Sequence, residues 1–174
     1  MPAYIFPILG LSVISWLLTG MVRNNWVPKV SVLASILLAA ASLQPAITSL
    51  INAGTAEITI PVINKVLAID SLSGWFIIVI NIVFLAGMIY GMEYLHHYES
   101  RKNDLRLHWM MLPVFQFSMI GVTISDSLFP FLILWELMSL SSFILILFER
   151  DKDATLRAAM NYFVQMHVSV VFLM

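Results

Sequence analysis

This sequence contains no cysteine, and charged residues are scarce in it. The lack of cysteine excludes disulfide bonds, thiolate catalysis and cysteine-ligated metal centres. Asp, Glu, Lys and Arg together make up 11% of the 174 residues, whereas 60% are hydrophobic. Because soluble domains carry about 25% charged residues, this composition predicts an integral membrane protein in the bacterial-type inner (plasma) membrane. The net charge of −1 offers no basis for binding nucleic acid.

The sequence motifs of conventional enzymes are also missing. It has no glycine-rich phosphate loop and no nucleophile triad. His96 and His97, with Glu93 and Glu99 nearby, come closest to a metal-ligand set, but they fall in a charged loop and no further matching ligands accompany them. We therefore expect no catalytic site, metal or cofactor in this chain. Any redox chemistry is expected in other subunits.

Long apolar runs are what the chain has in abundance. Stretches of about 20 apolar residues are long enough to span a bilayer as helices, and six of them predict an all-α, polytopic transmembrane bundle in one domain. The predicted helices are residues 3–22, 30–51, 71–90, 107–125, 127–148 and 155–174. Residues 57–70 are rich in β-branched side chains and predict a short extramembrane hairpin between the second and third helices. The sixth run stays apolar to the last residue. We therefore expect this chain to be the N-terminal portion of a longer subunit.

The basic residues predict how the helices are oriented. Eight of the nine Lys and Arg residues fall in the segments that follow the first, third and fifth predicted helices, including Arg157 at the start of the sixth helix, and only Lys65 lies between the second and third. Short loops rich in Lys and Arg stay in the cytoplasm. The alternation therefore predicts an N-terminus outside the cytoplasm.

Glu136 is the most informative single residue. It is the only ionisable residue in the 22-residue run 127–148 and lies near the middle of that run. A charge at that depth costs about 2.5 kcal/mol or more, and intramembrane acids are usually functional. We interpret Glu136 as a proton-carrying carboxylate, with the hydroxyl of Ser139 on the same helix face one turn later. The alternative is a glutamate that only bonds a neighbouring helix.

Other polar residues lie on neighbouring predicted helices. His167, on the sixth helix, is a candidate proton relay, because imidazole takes up and releases protons near neutral pH. The remaining residues are interpreted either as the lining of a polar interior or as helix–helix hydrogen-bonding contacts. They are Asn81, Gln116, Asn161 and Gln165. Asp70 or Ser71 is expected to cap the third predicted helix, and Ser125 or Asp126 the fifth.

Two stretches of the sequence resemble a known family. The text FLILWELMSLSSFILILF, with Trp135 and Glu136 followed by serines, continues into the sixth helix and looks like the fifth and sixth helices of antiporter-like proton-pumping subunits. Residues 67–98, introduced by Asp-Ser-Leu-Ser, are similar to the family's third helix. The family includes membrane-arm subunits of respiratory complex I and subunits of cation/proton antiporters. Residues 161–167, Asn-Tyr-Phe-Val-Gln-Met-His, look most like component B of group 4 membrane-bound hydrogenases.

The resemblance implies a function and partners. It implies a proton-translocating subunit within a hydrogenase-type or complex I-like membrane assembly, with other membrane subunits as neighbours and peripheral redox subunits as indirect partners. It also implies that a lysine on a seventh helix pairs with Glu136. The alternatives are a cation/proton antiporter subunit and a structural membrane scaffold.

Overall fold

The computed structural model describes residues 26–52, 56–60, 63–95 and 102–173. Within these ranges the chain forms five α-helices and one β-hairpin, in the order α1, β1, β2, α2, α3, α4, α5. The elements are α1 (Val27–Asn52), β1 (Ala56–Ile60), β2 (Ile63–Ile69), α2 (Ser71–Tyr94), α3 (Lys102–Ile124), α4 (Leu128–Ile146) and α5 (Asp153–Leu173), with a 3₁₀ turn at Leu147–Glu149. These helices correspond to the second to sixth predicted ones, and the predicted helix at residues 3–22 lies outside the described residues.

The helices pack in two groups. α1 lies against both α2 and α3, which also contact each other. α4 then packs along α3, and α5 packs on α4. The predicted hairpin is confirmed: β1 and β2 pair antiparallel, with a register shift between Ile58 and Ile60. The residues of the candidate site on α4 and α5 therefore lie at one side of the bundle.

Serines are buried in the bundle beside apolar residues, while many large apolar side chains are exposed. In α1 the buried residues include four serines, Ser31, Ser35, Ser42 and Ser49. In α4 the buried residues are Ser139, Ser141 and Ser142, while Phe129 and Ile133 are exposed. Small polar residues at the contacts let membrane helices approach closely, because the surrounding lipid is as apolar as leucine. This burial pattern is expected of a bundle surrounded by hydrocarbon.

Four of the described helices are long and apolar enough to cross a membrane: α1, α2, α3 from Asn103, and α4. The all-α transmembrane bundle predicted from composition is confirmed at this level. The fifth, α5, has 21 residues but is not among these four. The polar residues Asn161, Gln165 and His167 lower the mean hydropathy of α5. The span predicted here rested on the length of the apolar run, and the composition of the helix alone does not support it.

Several helix ends differ from the predicted ones. α1 begins at Val27 rather than at residue 30, α2 continues to Tyr94, and α3 begins at Lys102 rather than at residue 107. The apolar pattern marks the part of a helix that hydrocarbon surrounds, whereas hydrogen bonding continues into polar turns that water can solvate. Hydropathy therefore located the spans and underestimated the lengths of α1, α2 and α3, whereas α4 is shorter than predicted and ends at Ile146.

One predicted helix cap is found in the structure and another is not. Asp70 caps α2 as expected, and its carboxylate accepts a hydrogen bond from the Ser73 backbone N–H at 2.7 Å. That bond holds the pKa of the Asp70 carboxyl below its ordinary value of 3.8. The expected cap of α4 by Ser125 or Asp126 is wrong. Ser127 occupies the cap position without a side-chain bond, and the Ser125 hydroxyl donates to the Gly121 carbonyl instead.

Candidate functional site

Glu136 and His167 meet across the α4–α5 contact. His167 Nε2 lies 3.1 Å from Glu136 Oε2. Glu136 is the ninth of the 19 residues of α4, so the contact lies near the middle of that candidate span. The sequence singled out both residues separately, and the fold brings them into hydrogen-bonding distance.

The hydrogen bonds of His167 determine how many protons the pair holds. His167 Nδ1 lies 2.9 Å from the Phe163 backbone carbonyl oxygen. A carbonyl only accepts hydrogen bonds, so Nδ1 carries a proton and donates it. Nε2 then bears a proton only in the imidazolium. A hydrogen bond between Nε2 and Oε2 then requires one further proton, held either on the imidazole or on the carboxyl group.

A carboxyl group and an imidazole that share one such proton are neutral overall. Removing that proton leaves a net charge of −1, and adding a second leaves +1. Either charge is costly in a low-dielectric interior unless another group compensates it. The pair is therefore suited to gaining and losing protons in step with a neighbouring charge.

Aromatic rings fix the position of His167. The Phe163 ring lies against the imidazole with 4.1 Å between ring centroids, and the Phe143 ring of α4 packs on Phe163 at 4.8 Å. Phe163 therefore holds His167 twice, through its ring and through its carbonyl oxygen. Sequence reasoning missed Phe163, although its position four residues before His167 is the spacing of neighbours on one helix face.

Hydroxyl groups fasten α4 and α5 beside the pair. The Ser142 hydroxyl donates to the Ser139 carbonyl at 2.9 Å and lies 2.7 Å from the Tyr162 hydroxyl, which therefore donates to it. Ser139 itself is buried, and its hydroxyl donates to the Glu136 backbone carbonyl rather than to the carboxylate. The hydroxyl predicted to share a helix face with Glu136 is thus bonded to the Glu136 backbone.

The Glu136–His167 pair is open on one side. Each of the two side chains is 37% exposed. Hydrocarbon is a poor environment for an ion pair, so this side of the pair is suited to contact water or another polar helix. Asn161 and Gln165 of α5 are also exposed, and neither is hydrogen-bonded to the pair through its side chain.

Two of the four amides predicted as polar lining lie away from the Glu136–His167 pair. Asn81 on α2 and Gln116 on α3 are almost fully buried among α1, α2 and α3. Gln116 Nε2 donates to Asn81 Oδ1, and Asn81 Nδ2 donates to Ser42 Oγ, each at 2.9 Å. We call Ser42, Asn81 and Gln116 the amide cluster. It bridges three helices and contains no titratable group.

Metal ligands do not gather in the described part of the chain: no group of three or more His, Asp or Glu residues there could hold a metal ion. His96, His97 and Glu99 lie outside the described residues. The titratable groups that meet at the described site are one carboxylate and one imidazole.

Comparison with known proteins identifies relatives of this chain. Residues 125–174 match the family model described as NADH:quinone oxidoreductase/Mrp antiporter, TM. The matched residues include all of α4 and α5, and hence both members of the Glu136–His167 pair.

Individual relatives carry a more specific name. Over 101 residues, 58% of this chain, the sequence is 38% identical to "Putative antiporter subunit mnhA2" of Staphylococcus aureus strain MSSA476. Over 84 residues, 48% of this chain, it is 42% identical to the protein of the same name from strain JH9. The matched segments make up 12% and 10% of those relatives' lengths. These matches confirm the resemblance to antiporter-like membrane subunits.

Proposed function

Starting from its match to the antiporter-like membrane subunits, we propose that this chain forms part of a subunit that moves protons across the membrane. In this proposal Glu136 and His167 bind and pass on the proton. The observation that carries it is the 3.1 Å contact between His167 Nε2 and Glu136 Oε2 in the middle of an apolar helix.

The mechanism follows from the one proton between the two groups. In the neutral form the carboxylic acid donates to Nε2, and in the charged form Nε2–H donates to the carboxylate. A proton leaves the pair when a neighbouring cation stabilises the remaining negative charge, and a new proton enters when that cation moves away. The 37% exposure of both side chains provides the route by which the proton is exchanged.

The neighbouring cation belongs to the same proposal. The family resemblance implies a lysine on a further helix, which would approach Glu136 from the open side of the pair. In that position an ammonium would compensate the carboxylate and replace the hydrocarbon that would otherwise contact it. The pair on α4 and α5 would then supply two residues of a three-residue site.

Two assemblies are candidates for the parent protein. The printed name of the relatives supports a cation/proton antiporter subunit. The segment Asn161–His167 supports a hydrogenase-type or complex I-like assembly, in which separate subunits carry out the redox reaction. Proton transport in vesicles separates them: dependence on a sodium gradient supports the antiporter, and dependence on electron donor supports the redox assembly.

The proposed orientation places the Lys29, Arg106 and Arg150 ends of the helices in the cytoplasm. The absence of cysteine makes this testable with single cysteines. A membrane-impermeant maleimide added to intact cells should label Asp126→Cys and leave Arg150→Cys unlabelled. The reverse pattern would overturn the orientation.

The decisive experiment is Glu136→Gln in the intact assembly. Glutamine keeps the size and can still bond His167, but it cannot release a proton. We expect proton transport per assembled complex to fall about a hundredfold or more, the range typical of losing an acid–base group. Glu93→Gln, at an exposed position of α2, is the matched control and should leave transport unchanged.

A structural role predicts a different result. If Glu136 served only to bond α5, Glu136→Gln would lower the amount of assembled complex while each assembled complex transported protons at the normal rate. Immunoblotting of the assembled complex, run beside the transport assay, separates the two roles.

A further inference from the structure

Three buried polar atoms among α1, α2 and α3 have no hydrogen-bond partner within the described structure. They are Ser31 Oγ, Ser35 Oγ and Gln116 Oε1. All three residues have essentially no exposed surface. Buried polar atoms are almost always hydrogen-bonded, to protein or to ordered water, so three such atoms close together point to a ligand.

The three atoms belong to one place in the fold. Ser31 and Ser35 are four residues apart on α1 and share a helix face. Gln116 Nε2 lies 3.4 Å from the Ser35 carbonyl oxygen, which places the carboxamide of Gln116 beside the same turn of α1. The orientation of the amide is determined as well, because Nε2 donates to Asn81 Oδ1 and Oε1 therefore points away from Asn81.

The donors and acceptors match a water molecule. Gln116 Oε1 can only accept a hydrogen bond, whereas each serine hydroxyl can donate one and accept others. A water molecule can donate to Oε1, donate to one hydroxyl oxygen and accept from the other hydroxyl. It would thereby make the three hydrogen bonds typical of a buried water.

Pro113 frees a backbone carbonyl on the same helix as Gln116. It is buried one turn before Gln116 on α3. Proline has no N–H, so it cannot donate to the Trp109 carbonyl oxygen. In membrane helices, ordered water is one of the groups that satisfy carbonyls freed in this way.

A metal cation fits this place less well. Ser31, Ser35, Ser42, Asn81 and Gln116 are all neutral, so no side chain in the set would compensate a buried positive charge. Water carries no net charge and needs no such compensation.

From these observations we propose that Ser31, Ser35 and Gln116 bind an internal water molecule. We call the three residues the hydration site. The water extends the amide cluster along α1 to Ser31 and Ser35 and completes a hydrogen-bonded core in which the helices are joined by neutral groups. This core is separate from the Glu136–His167 pair, and its amides make it a structural site rather than a proton path.

The test is a cryo-electron microscopy map of the intact membrane assembly at a resolution that shows ordered water. We expect a density peak within hydrogen-bonding distance, about 2.7–3.2 Å, of Gln116 Oε1 and of at least one of the two hydroxyls. The double variant Ser31→Ala/Ser35→Ala should lose the peak. Ser118→Ala is the control, because its hydroxyl is equally buried on the same helix as Gln116 but already donates to the Phe115 carbonyl; it should keep the peak.

Three results would overturn the proposal. One is a dry site, in which the three side chains bond one another directly. Another is a peak that persists unchanged in the double variant. The third is a peak whose height follows the sodium concentration, which would indicate a cation. If the double variant does not assemble, Gln116→Met, which fills a similar volume without an acceptor amide, serves in its place and should also lose the peak.

Discussion

Two polar clusters lie in this small bundle, and they differ in burial and in charge. The amide cluster of Ser42, Asn81 and Gln116 is buried among three helices, with Asn81 and Gln116 almost completely enclosed. The Glu136–His167 pair lies between two helices, and its members are each 37% exposed. The enclosed cluster consists of groups that do not titrate, whereas the open one consists of groups that do.

The difference shows how a membrane protein divides its polar residues between structure and function. A fully enclosed amide has no route for protons, and its hydrogen bonds hold helices in register. A carboxylate–imidazole pair at an open side can exchange protons, but it needs a further partner to cover it. Under the proposed function, the α1–α3 group is the scaffold, and α4 and α5 present the groups that handle the proton.

The largest effect is expected from replacing a titratable member of the Glu136–His167 pair with a residue that does not titrate. His167→Gln keeps hydrogen-bonding capacity but removes the proton-accepting nitrogen, so proton transport per assembled complex should fall about a hundredfold or more. Transport in inverted vesicles, normalised to assembled complex, measures it. Val168→Ala, at the adjacent exposed position, is the control and should transport normally. Normal transport by His167→Gln would remove the distinction drawn between the two clusters.

The packing of the scaffold can be tested at its closest helix contact. A Cβ added at Gly74 would lie 2.5 Å from Ser49 Oγ and 2.8 Å from the Ala46 carbonyl oxygen, and backbone cannot easily move away. Gly74→Ala should therefore destabilise the protein by about 1–3 kcal/mol, the usual cost of overpacking. Denaturant unfolding in detergent measures this difference.

Gly87 is the matched control on the same helix. A Cβ there would meet nothing within 4 Å. Gly87→Ala should stabilise α2 by about 0.5–1 kcal/mol, because alanine is the better helix former. Equal effects of the two substitutions would show that α1 and α2 do not approach as closely as the structure has them.

The structural role of the amide cluster is testable with a double-mutant cycle. Asn81→Leu or Gln116→Leu leaves the other amide without a buried partner, so each should cost about 1–3 kcal/mol. The double variant should cost less than the sum, with a coupling of about 0.5–3 kcal/mol. Proton transport per assembled complex should stay normal in Asn81→Leu. A selective loss of transport there would assign proton handling to the enclosed cluster as well.

The smallest effect is expected at Asp70, outside the membrane spans. Asp70→Ala removes the cap of α2 and should cost about 1 kcal/mol near neutral pH. The pKa of Asp70 is lowered by the Ser73 N–H, so its contribution is complete above the ordinary pKa and is lost as the pH falls through the lower folded value. The cost of Asp70→Ala should therefore shrink below about pH 3.8.

The control for Asp70 is Asp126→Ala, measured by the same unfolding series. Asp126 is exposed just before α4, whose cap residue is Ser127 without a side-chain bond. Its substitution should change stability little at any pH. A cost for Asp126→Ala comparable to that for Asp70→Ala would indicate a general charge effect rather than capping.

Much of the fold was predictable from the pattern of residues alone. Hydropathy located the spans of α1 to α4, and the β-branched stretch before Asp70 predicted the hairpin. The helix ends were less predictable, because helices such as α3 continue through polar turns that carry no hydropathy signal. The cap of α4 was mispredicted, since Ser125 and Asp126 have the right chemistry for a cap but only backbone geometry selects which residue occupies the position.

The candidate site was predictable in its members and not in its contacts. The sequence by itself determined that Glu136 is a rare ionisable group in an apolar helix and that His167 follows on the next helix, because such residues are costly in hydrocarbon. Only the tertiary structure decided that Glu136 meets His167. It also decided that Asn81 and Gln116 bond each other and not the Glu136–His167 pair. Which faces of α2 to α5 touch depends on how buried serines and close-packed glycines let the helices approach, and no single segment encodes that geometry.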